Sequence, residues 1–255
     1  WTFIAWGLLY FVLLVLVIIP HNPLAVTSGG ATRWLNVGIT TFQPSEVAKF
    51  AVILYFAATI SVKKERMKTF QDGIFPYFLI LGVISVLMLM EPHLSGTVLI
   101  LGFGASMMFV GGISQKMVGL GVGIGVLGIA ILASGVLPYG QSRIMQWKDP
   151  WAYAADEGYQ TVQSLLAIGS GGLAGLGFGK GRQKLMYLPE EHNDMIFSIV
   201  CEELGFIGAA LILALFCFLV LRGYWIAVHA RDRFGGLLAV GIITMIAMQT
   251  FLNVA

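Results

Sequence analysis

Seven long hydrophobic runs constrain the fold of this sequence more than any other feature. Each is close to the length of about 20 residues that a helix needs to cross the hydrocarbon core of a bilayer. Hydrophobic residues make up 58% of the chain and charged residues only 11%, against roughly 25% charged in soluble domains. Runs of this length predict an all-α, polytopic helical membrane protein, because a helix satisfies its own backbone groups within lipid. The predicted membrane segments are Trp1–Pro20, Pro44–Val62, Gly73–Met90, Leu94–Ile113, Met117–Leu137, Met195–Leu221 and Gly235–Ala255.

The distribution of Lys and Arg predicts the orientation in the membrane. Basic residues fall in alternate short connections, and these are Lys63, Lys64, Arg66, Lys68, Lys116, Arg222, Arg231 and Arg233. Because short loops rich in Lys and Arg stay in the cytoplasm, we predict that the first segment runs outward. The connections Ala25–Phe42, Glu91–His93 and Pro138–Asn193 then face outside. The net charge of +2 is small and no nucleic-acid motif is present, so no nucleic acid partner is expected.

The connection Pro138–Asn193 is far longer than the others, and long loops of this kind are usually functional or disordered. Its Trp and Tyr residues suit a membrane–water interface. Within it, the stretch "EGYQTVQSLLAIG" places Tyr159, Val162 and Leu166 on one helical face. We predict a short helix here that lies on the bilayer surface.

The same loop contains the glycine-rich stretch "GSGGLAGLGFGKGRQK". It is not a Walker A phosphate loop, because Ala174 replaces the first glycine of that motif and Gly181 replaces its Ser or Thr. Two interpretations stay open. The stretch is a flexible or tightly turned linker, or it holds Lys180, Arg182 and Lys184 near anionic lipid or a diphosphate.

A second polar cluster lies in "RWLNVG…FQPSEVAKF". Pro44 suits the first position of a helix and Glu46 suits its first turn. Lys49 follows Glu46 by three residues and therefore shares its face of the helix. The pair is either a local ion pair at the membrane edge or part of a cavity lining, with Arg33 and Trp34 on the same outer side.

Five acids lie close together in "LPEEHNDMIFSIVCEELG", where a membrane segment begins. If the helix begins near His192, one face carries Asp194, Ser198, Cys201, Glu202 and Gly205. Asp194 and Glu202 are then roughly 12 Å apart along the axis, too far for a glycosidase-type carboxylate pair. Asp194 is either a first-turn acid that stabilises the helix N-terminus or a functional group. We expect Glu202 and Glu203 to have partners such as Lys49 or buried water.

These stretches, together with "DPWAYAADEGYQTVQSLLAIG" and the closing "MQTFLNVA", resemble the SEDS family of FtsW, RodA and SpoVE proteins. The resemblance covers essentially the whole chain and favours the FtsW/SpoVE branch. Such proteins usually have ten membrane helices, so this fragment would hold the third to the ninth. It implies one transmembrane domain over residues 1–255, with residues 138–193 as an extracytoplasmic catalytic loop.

The resemblance also implies an activity. Members are peptidoglycan glycosyltransferases that use lipid II, an undecaprenyl-diphosphate-linked disaccharide pentapeptide, as both donor and acceptor. They invert the donor sugar and act at the outer face of the bacterial cytoplasmic membrane with a class B penicillin-binding protein. Asp194 matches the acid regarded as catalytic in the family. Glu46 and Lys49 match its Pro-Ser-Glu-x-x-Lys motif, and Arg33 and Trp34 match its Arg-Trp pair.

General chemistry agrees with this division of roles. Sugar transfer from a lipid diphosphate needs a base for the acceptor hydroxyl and positive charge for the leaving group. We expect Asp194 to be the base, and Arg33, Lys49 and the Lys180, Arg182 and Lys184 group to bind the diphosphate. Glu46 would orient Lys49, and Trp34 and Glu203 complete the expected substrate-binding set. No cofactor is assigned, and a divalent cation, Mg²⁺ or Mn²⁺, is left open.

Two alternatives to an enzyme also stay open. Polar groups within a helical bundle mark substrate paths in transporters, so the chain could belong to a lipid II flippase. It could also be a scaffold that recruits a synthase without chemistry of its own.

Overall fold

The computed structural model describes residues 2–18, 25–28, 31–36, 41–90, 93–121, 123, 148–155, 158–181 and 195–254. Within them the helices are α1 Thr2–Ile18, α2 Pro44–Lys63, α3 Phe75–Met90, α4 Leu94–Val110, α5 Tyr159–Gly171, α6 Ile196–Val228 and α7 Arg233–Val254. Residues 115–121 are also helical. Short 3-10 helices span Lys64–Lys68 and Pro150–Tyr153, and a π-helical turn spans Phe70–Ile74. The predicted helical membrane fold is confirmed.

Six of the seven predicted membrane segments coincide with a helix among the described residues, and the seventh, Met117–Leu137, lies largely outside them. Among the described helices, three are long and apolar enough to cross a membrane by length and composition: Pro44–Lys68, Ile196–Val228 and Arg233–Val254. α3 and α4 are shorter apolar helices.

The sixth segment is longer than predicted. We expected it to end at Leu221 with Arg222 in a loop, but α6 continues to Val228. The guanidinium carbon of Arg222 lies 4.1 Å from the centre of the Trp225 ring, so this charge is accommodated on the helix surface by a cation–π contact. Arg233 is likewise the first residue of α7 rather than a loop residue.

The segment Ala25–Phe42, predicted to face outside, contains a small sheet that the sequence did not predict. Strands β1 Ala25–Ser28, β2 Ala31–Asn36 and β3 Thr41–Phe42 are antiparallel, in that order. Val26 pairs with Trp34 and Thr27 pairs with Thr32, so the register skips Arg33. Such a bulge redirects the chain locally and is often found beside functional sites.

Backbone contacts divide the chain into two compact units. The first comprises Trp1–Gly119 and Leu219–Leu252, and the second comprises Leu120–Phe218 with Asn253–Ala255. α2 is the central helix of the first unit, and its Phe56 ring meets the Tyr77 ring edge-on at 4.9 Å. A Cβ at Gly241 of α7 would lie 2.6 Å from Ile53 Cγ2, so this glycine lets α7 approach α2 closely.

The end of α6 packs on α7 within the first unit. The hydroxyls of Tyr224 and Thr244 share a hydrogen bond of 2.8 Å. At the start of α7, Arg233 donates to the carbonyl of Gly111, immediately after α4, at 2.8 Å. The bond satisfies a carbonyl that the end of α4 leaves without a partner in its own helix.

In the second unit, the helix predicted from "EGYQTVQSLLAIG" is confirmed as α5. Val162 is buried and Leu166 is exposed. The face that packs carries Ala167 and Gly171, and Gly171 lies against the backbone of Cys201 in α6. That α5 lies on the bilayer surface stays a prediction.

Candidate functional site

The first polar cluster lies at the start of α2. Pro44 is the first helical residue after Gln43, as predicted, since its missing N–H and fixed φ suit this position. Glu46 lies in the first turn, where a negative charge is stabilised by the helix dipole.

The predicted ion pair between Glu46 and Lys49 is confirmed, with 2.8 Å between Lys49 Nζ and Glu46 Oε2. The Lys49 side chain is 3% exposed and that of Glu46 is 45% exposed. Lys49 also donates to Gln249 Oε1 of α7 at 3.3 Å. The arrangement holds a buried cation at the end of an apolar helix, with its counter-ion open to solvent.

Ser45 lies four residues before Lys49 and therefore on the same face of α2. Its hydroxyl is fully buried and has no hydrogen-bond partner among the described residues. Since buried polar groups are almost always bonded, a water or ligand atom is the natural partner for this hydroxyl.

On β2, Trp34 is half-buried and Leu35 packs against the core of the first unit. Arg33 precedes Trp34 at the bulge, and only its backbone is among the described atoms.

The second polar cluster surrounds a break in α6. Gly205 has φ 67° and ψ −171°, a conformation essentially restricted to glycine, and it interrupts the helix. Four backbone hydrogen bonds join the glycine-rich loop to α6 on both sides of this break. The loop donates from Leu176 N to Glu202 O at 3.0 Å and from Gly177 N to Glu203 O at 3.1 Å. It accepts from Phe206 N at Gly172 O, 2.9 Å, and from Ile207 N at Leu173 O, 3.2 Å. We call residues 172–181 and 202–207 together the glycine clasp.

The glycine clasp has no room for a side chain at Gly175 or Gly205, and the same holds for the neighbouring Gly171. A Cβ at Gly205 would overlap the backbone nitrogen of Gly175, and one at Gly171 would overlap the carbonyl oxygen of Cys201. This close approach explains why the loop is rich in glycine. For residues 172–181, a tightly turned segment is confirmed.

The carboxylate of Glu203 binds the far end of the same loop. Oε2 accepts the N–H of Gly179 at 3.0 Å and Oε1 accepts the N–H of Gly181 at 3.4 Å. Glu203 is 8% exposed, whereas Lys180 between the two glycines is exposed. The sequence analysis missed these donors, because every residue except proline carries a backbone N–H and residue type therefore does not mark them. The many glycines of the loop that precedes "CEELG" were the one feature of the sequence that could have indicated a close backbone contact.

The helical face predicted for the acidic stretch is confirmed where it is described. Ser198, Cys201, Glu202 and Gly205 are all buried. The hydroxyls of Ser198 and Ser164 lie 2.5 Å apart and join this face to α5. α6 begins at Ile196, four residues after the expected start. Asp194, Arg182 and Lys184 lie outside the described residues.

Within the described ranges, no three His, Cys, Asp or Glu side chains come together as a metal-binding group.

Sequence comparison adds an independent finding. The model of the FtsW/RodA/SpoVE family, described as "Cell cycle protein", matches residues 1–255. The "Probable peptidoglycan glycosyltransferase FtsW" of Geobacter sp. (strain M18) is 40% identical over 246 residues, which cover 96% of this chain and 66% of the relative. Stage V sporulation protein E of Bacillus subtilis is 39% identical over 260 residues, which cover the whole chain and 70% of the relative. The chain thus spans about two thirds of the length of these proteins.

Solved structures share the fold. A chain from the structure described as "Structural coordination of polymerization and crosslinking by a peptidoglycan synthase complex" matches 98% of this chain with a TM-score of 0.78 and 22% identity, over 69% of its own length. The crystal structure of rod shape determining protein RodA from Thermus thermophilus matches 98% with a TM-score of 0.66 and 24% identity, over 64% of its length. With the family model matching from end to end, this chain belongs to the FtsW/RodA/SpoVE family of multi-pass membrane proteins.

Proposed function

We propose that the chain is the larger part of a peptidoglycan glycosyltransferase that polymerises lipid II at the outer face of the cytoplasmic membrane, during cell division or cell-wall growth. The name of the FtsW relative at 40% identity supports this activity. The observation that carries it is the buried Lys49 ammonium, held by Glu46 and Gln249 at the end of an apolar helix. A desolvated cation beside lipid headgroups suits an anionic lipid substrate.

Lys49 and Arg33 bind the donor diphosphate in this proposal. Charge on the leaving diphosphate grows as the donor bond breaks, and a fixed cation stabilises it without reorganisation. Glu46 keeps Lys49 oriented, and Arg33 adds a planar fork that can bond two phosphate oxygens. Trp34 supports the donor beside Arg33. Lys180, Arg182 and Lys184 add positive charge from the glycine-rich loop.

Asp194 acts as the general base. The acceptor 4-hydroxyl oxygen of N-acetylglucosamine attacks the anomeric carbon of the donor, and its proton passes to the Asp194 carboxylate. The anomeric carbon–oxygen bond breaks, and the electron pair leaves with the diphosphate. Attack from the opposite side inverts the anomeric centre. Diphosphate is a good leaving group and needs no protonating acid, so one carboxylate suffices.

The remaining parts of the proposal concern location and partners. Residues 1–255 form one transmembrane domain, and residues 138–193 form its extracytoplasmic catalytic loop. α5 and the aromatic residues around Trp151 contact membrane lipids. A class B penicillin-binding protein crosslinks the product, in keeping with the similar fold found in a peptidoglycan synthase complex that coordinates polymerisation and crosslinking.

The test is lipid II polymerisation by the full-length protein beside its Asp194→Asn variant. We expect the variant to insert and fold but to make no glycan, a loss of at least about 100-fold for removal of a general base. Asp149→Asn is the matched control, because Asp149 is an exposed acid of the same loop that caps a short helix through Ala152 N at 3.2 Å. Wild-type polymerisation by Asp194→Asn would show that the base is another group.

A lipid II flippase is the second candidate, because α6 is interrupted at Gly205 and broken helices are common in transporters. Vesicles with labelled lipid II on one side separate the two activities. A flippase moves the label across the bilayer without glycan synthesis, whereas the proposed enzyme makes glycan without moving the label.

A further inference from the structure

We propose that Glu203 is a positioning residue, which fixes the glycine-rich loop so that Lys180 and Phe178 face a lipid-linked diphosphate. This proposal rests on the proposed function for the identity of that ligand. It also revises the expected role of Glu203, from a residue that binds substrate to one that holds the residues that do.

The hydrogen bonds of Glu203 follow a regular pattern along the loop. Gly177, Gly179 and Gly181 are alternate residues, and the N–H of each points at Glu203. Gly177 donates to its carbonyl oxygen at 3.1 Å, Gly179 to Oε2 at 3.0 Å and Gly181 to Oε1 at 3.4 Å. One residue of α6 therefore anchors three alternate residues across a five-residue stretch of the loop.

The loop cannot move closer to α6 or take another register easily. A Cβ at Gly181 would lie 3.1 Å from Glu203 Cγ and 2.9 Å from Glu202 Oε2. The backbone also closes on itself, because Lys180 N–H donates to Gly177 O at 3.0 Å. The N–H groups of Gly179 and Gly181 donate to the carboxylate of Glu203, so side-chain hydrogen bonds fasten the loop to α6.

The residues between the anchored glycines face away from α6. Phe178 is 88% exposed and Lys180 is exposed. An apolar ring beside an ammonium group matches a ligand with a hydrocarbon tail and an anionic headgroup. Among such ligands, the lipid diphosphate of the donor supplies two phosphates for Lys180 and a prenyl chain for Phe178.

The experiment measures loop exchange and lipid binding separately in the full-length protein, reconstituted in nanodiscs. Hydrogen exchange is followed in the peptide that contains Gly177, Gly179 and Gly181. The Kd of labelled lipid II is measured alongside, with a polymerisation assay on the same preparations. The variants are Glu203→Gln, Lys180→Gln and the double variant, and Lys148→Gln is the control for loss of an exposed lysine elsewhere in the connection Pro138–Asn193.

We expect Glu203→Gln to speed loop exchange about tenfold, because an amide can accept through only one of its two terminal atoms. It should weaken lipid II binding about tenfold. Lys180→Gln should weaken binding similarly but leave loop exchange unchanged. The double variant should lose less binding than the product of the two single losses, since Glu203 acts in part through Lys180. Lys148→Gln should match the wild type in both measurements.

Two results would overturn the proposal: unchanged loop exchange in Glu203→Gln, or losses of binding that multiply in the double variant. Lipid II binding without glycan synthesis would refute the proposed glycosyltransferase activity while leaving the positioning role standing. If Glu203→Gln is not recovered as folded protein, Glu203→Asp takes its place. It keeps the charge but shortens the reach to Gly181, and the same outcomes apply.

Discussion

The two polar clusters stabilise a buried charged side chain with different kinds of partner. At the start of α2, a buried charge is satisfied by other side chains, namely Glu46 and Gln249 around Lys49. In the glycine clasp, the Glu203 carboxylate is satisfied by backbone amides, and the broken backbone of α6 is satisfied by a loop. The cluster at the start of α2 depends on which side chains are present. The glycine clasp depends on the absence of side chains at its closely packed glycines.

The largest loss of stability is expected for a substitution within the glycine clasp. Gly205→Ala should cost about 3 kcal/mol or more, because the Gly205 conformation is strained for any other residue and the added Cβ overlaps the loop. Thermal unfolding and the yield of monodisperse protein in detergent measure the loss. Gly169→Ala is the control, since no atom lies within 4 Å of a Cβ there, and it should change stability by less than about 1 kcal/mol. Equal losses of stability in the two variants would contradict the steric constraint at Gly205.

At the start of α2, removing Glu46 should destabilise the protein more than removing Lys49. Glu46→Gln should cost about 2 kcal/mol, because it leaves the buried Lys49 ammonium without its counter-ion; partial exposure of Glu46 keeps the loss below that of a fully buried pair. Lys49→Met should cost less than about 1 kcal/mol, since water solvates the remaining carboxylate. The double variant should resemble Lys49→Met. Unfolding in detergent measures all three, and strictly additive losses would contradict the coupling.

The smallest expected effect comes from a neutral pair outside both clusters. Tyr224→Phe removes the bond to Thr244 between α6 and α7 and should cost about 0.6 kcal/mol, the usual value for such bonds within membranes. Tyr10→Phe on the exposed face of α1 should cost nothing measurable in the same unfolding assay. If Tyr224→Phe lowered the free energy of unfolding as much as Glu46→Gln, the charge of the Glu46–Lys49 pair would contribute no more than a neutral hydrogen bond.

The same contrast explains what could be predicted from the sequence. The start of α2 and the Glu46–Lys49 pair follow from local spacing, and so does the buried face of Ser198, Cys201 and Glu202. These features depend on residue type and helical periodicity alone. The segments Trp1–Pro20 and Gly235–Ala255 were correct for the same reason.

Features that depend on distant backbone groups were not predictable. The partners of Glu203 lie 22 and 24 residues away and are amides, which every residue except proline carries. The three short strands also depend on pairing between segments rather than on a strong local pattern. The end of α6 was predicted too early because Arg222 was taken as a loop residue. Its charge instead lies on the continuing helix, in contact with the Trp225 ring.

The break at Gly205 also fixes how α6 matches the thickness of a bilayer. The whole helix has 33 residues and would be about 50 Å long if straight, well beyond a hydrocarbon core of about 30 Å. The part after the break, residues 206–228, is about 34 Å long and can cross that core alone with slight tilt. We therefore expect the first turns of α6 to lie outside the hydrocarbon, with Glu202 and Glu203 at the depth of the lipid phosphates.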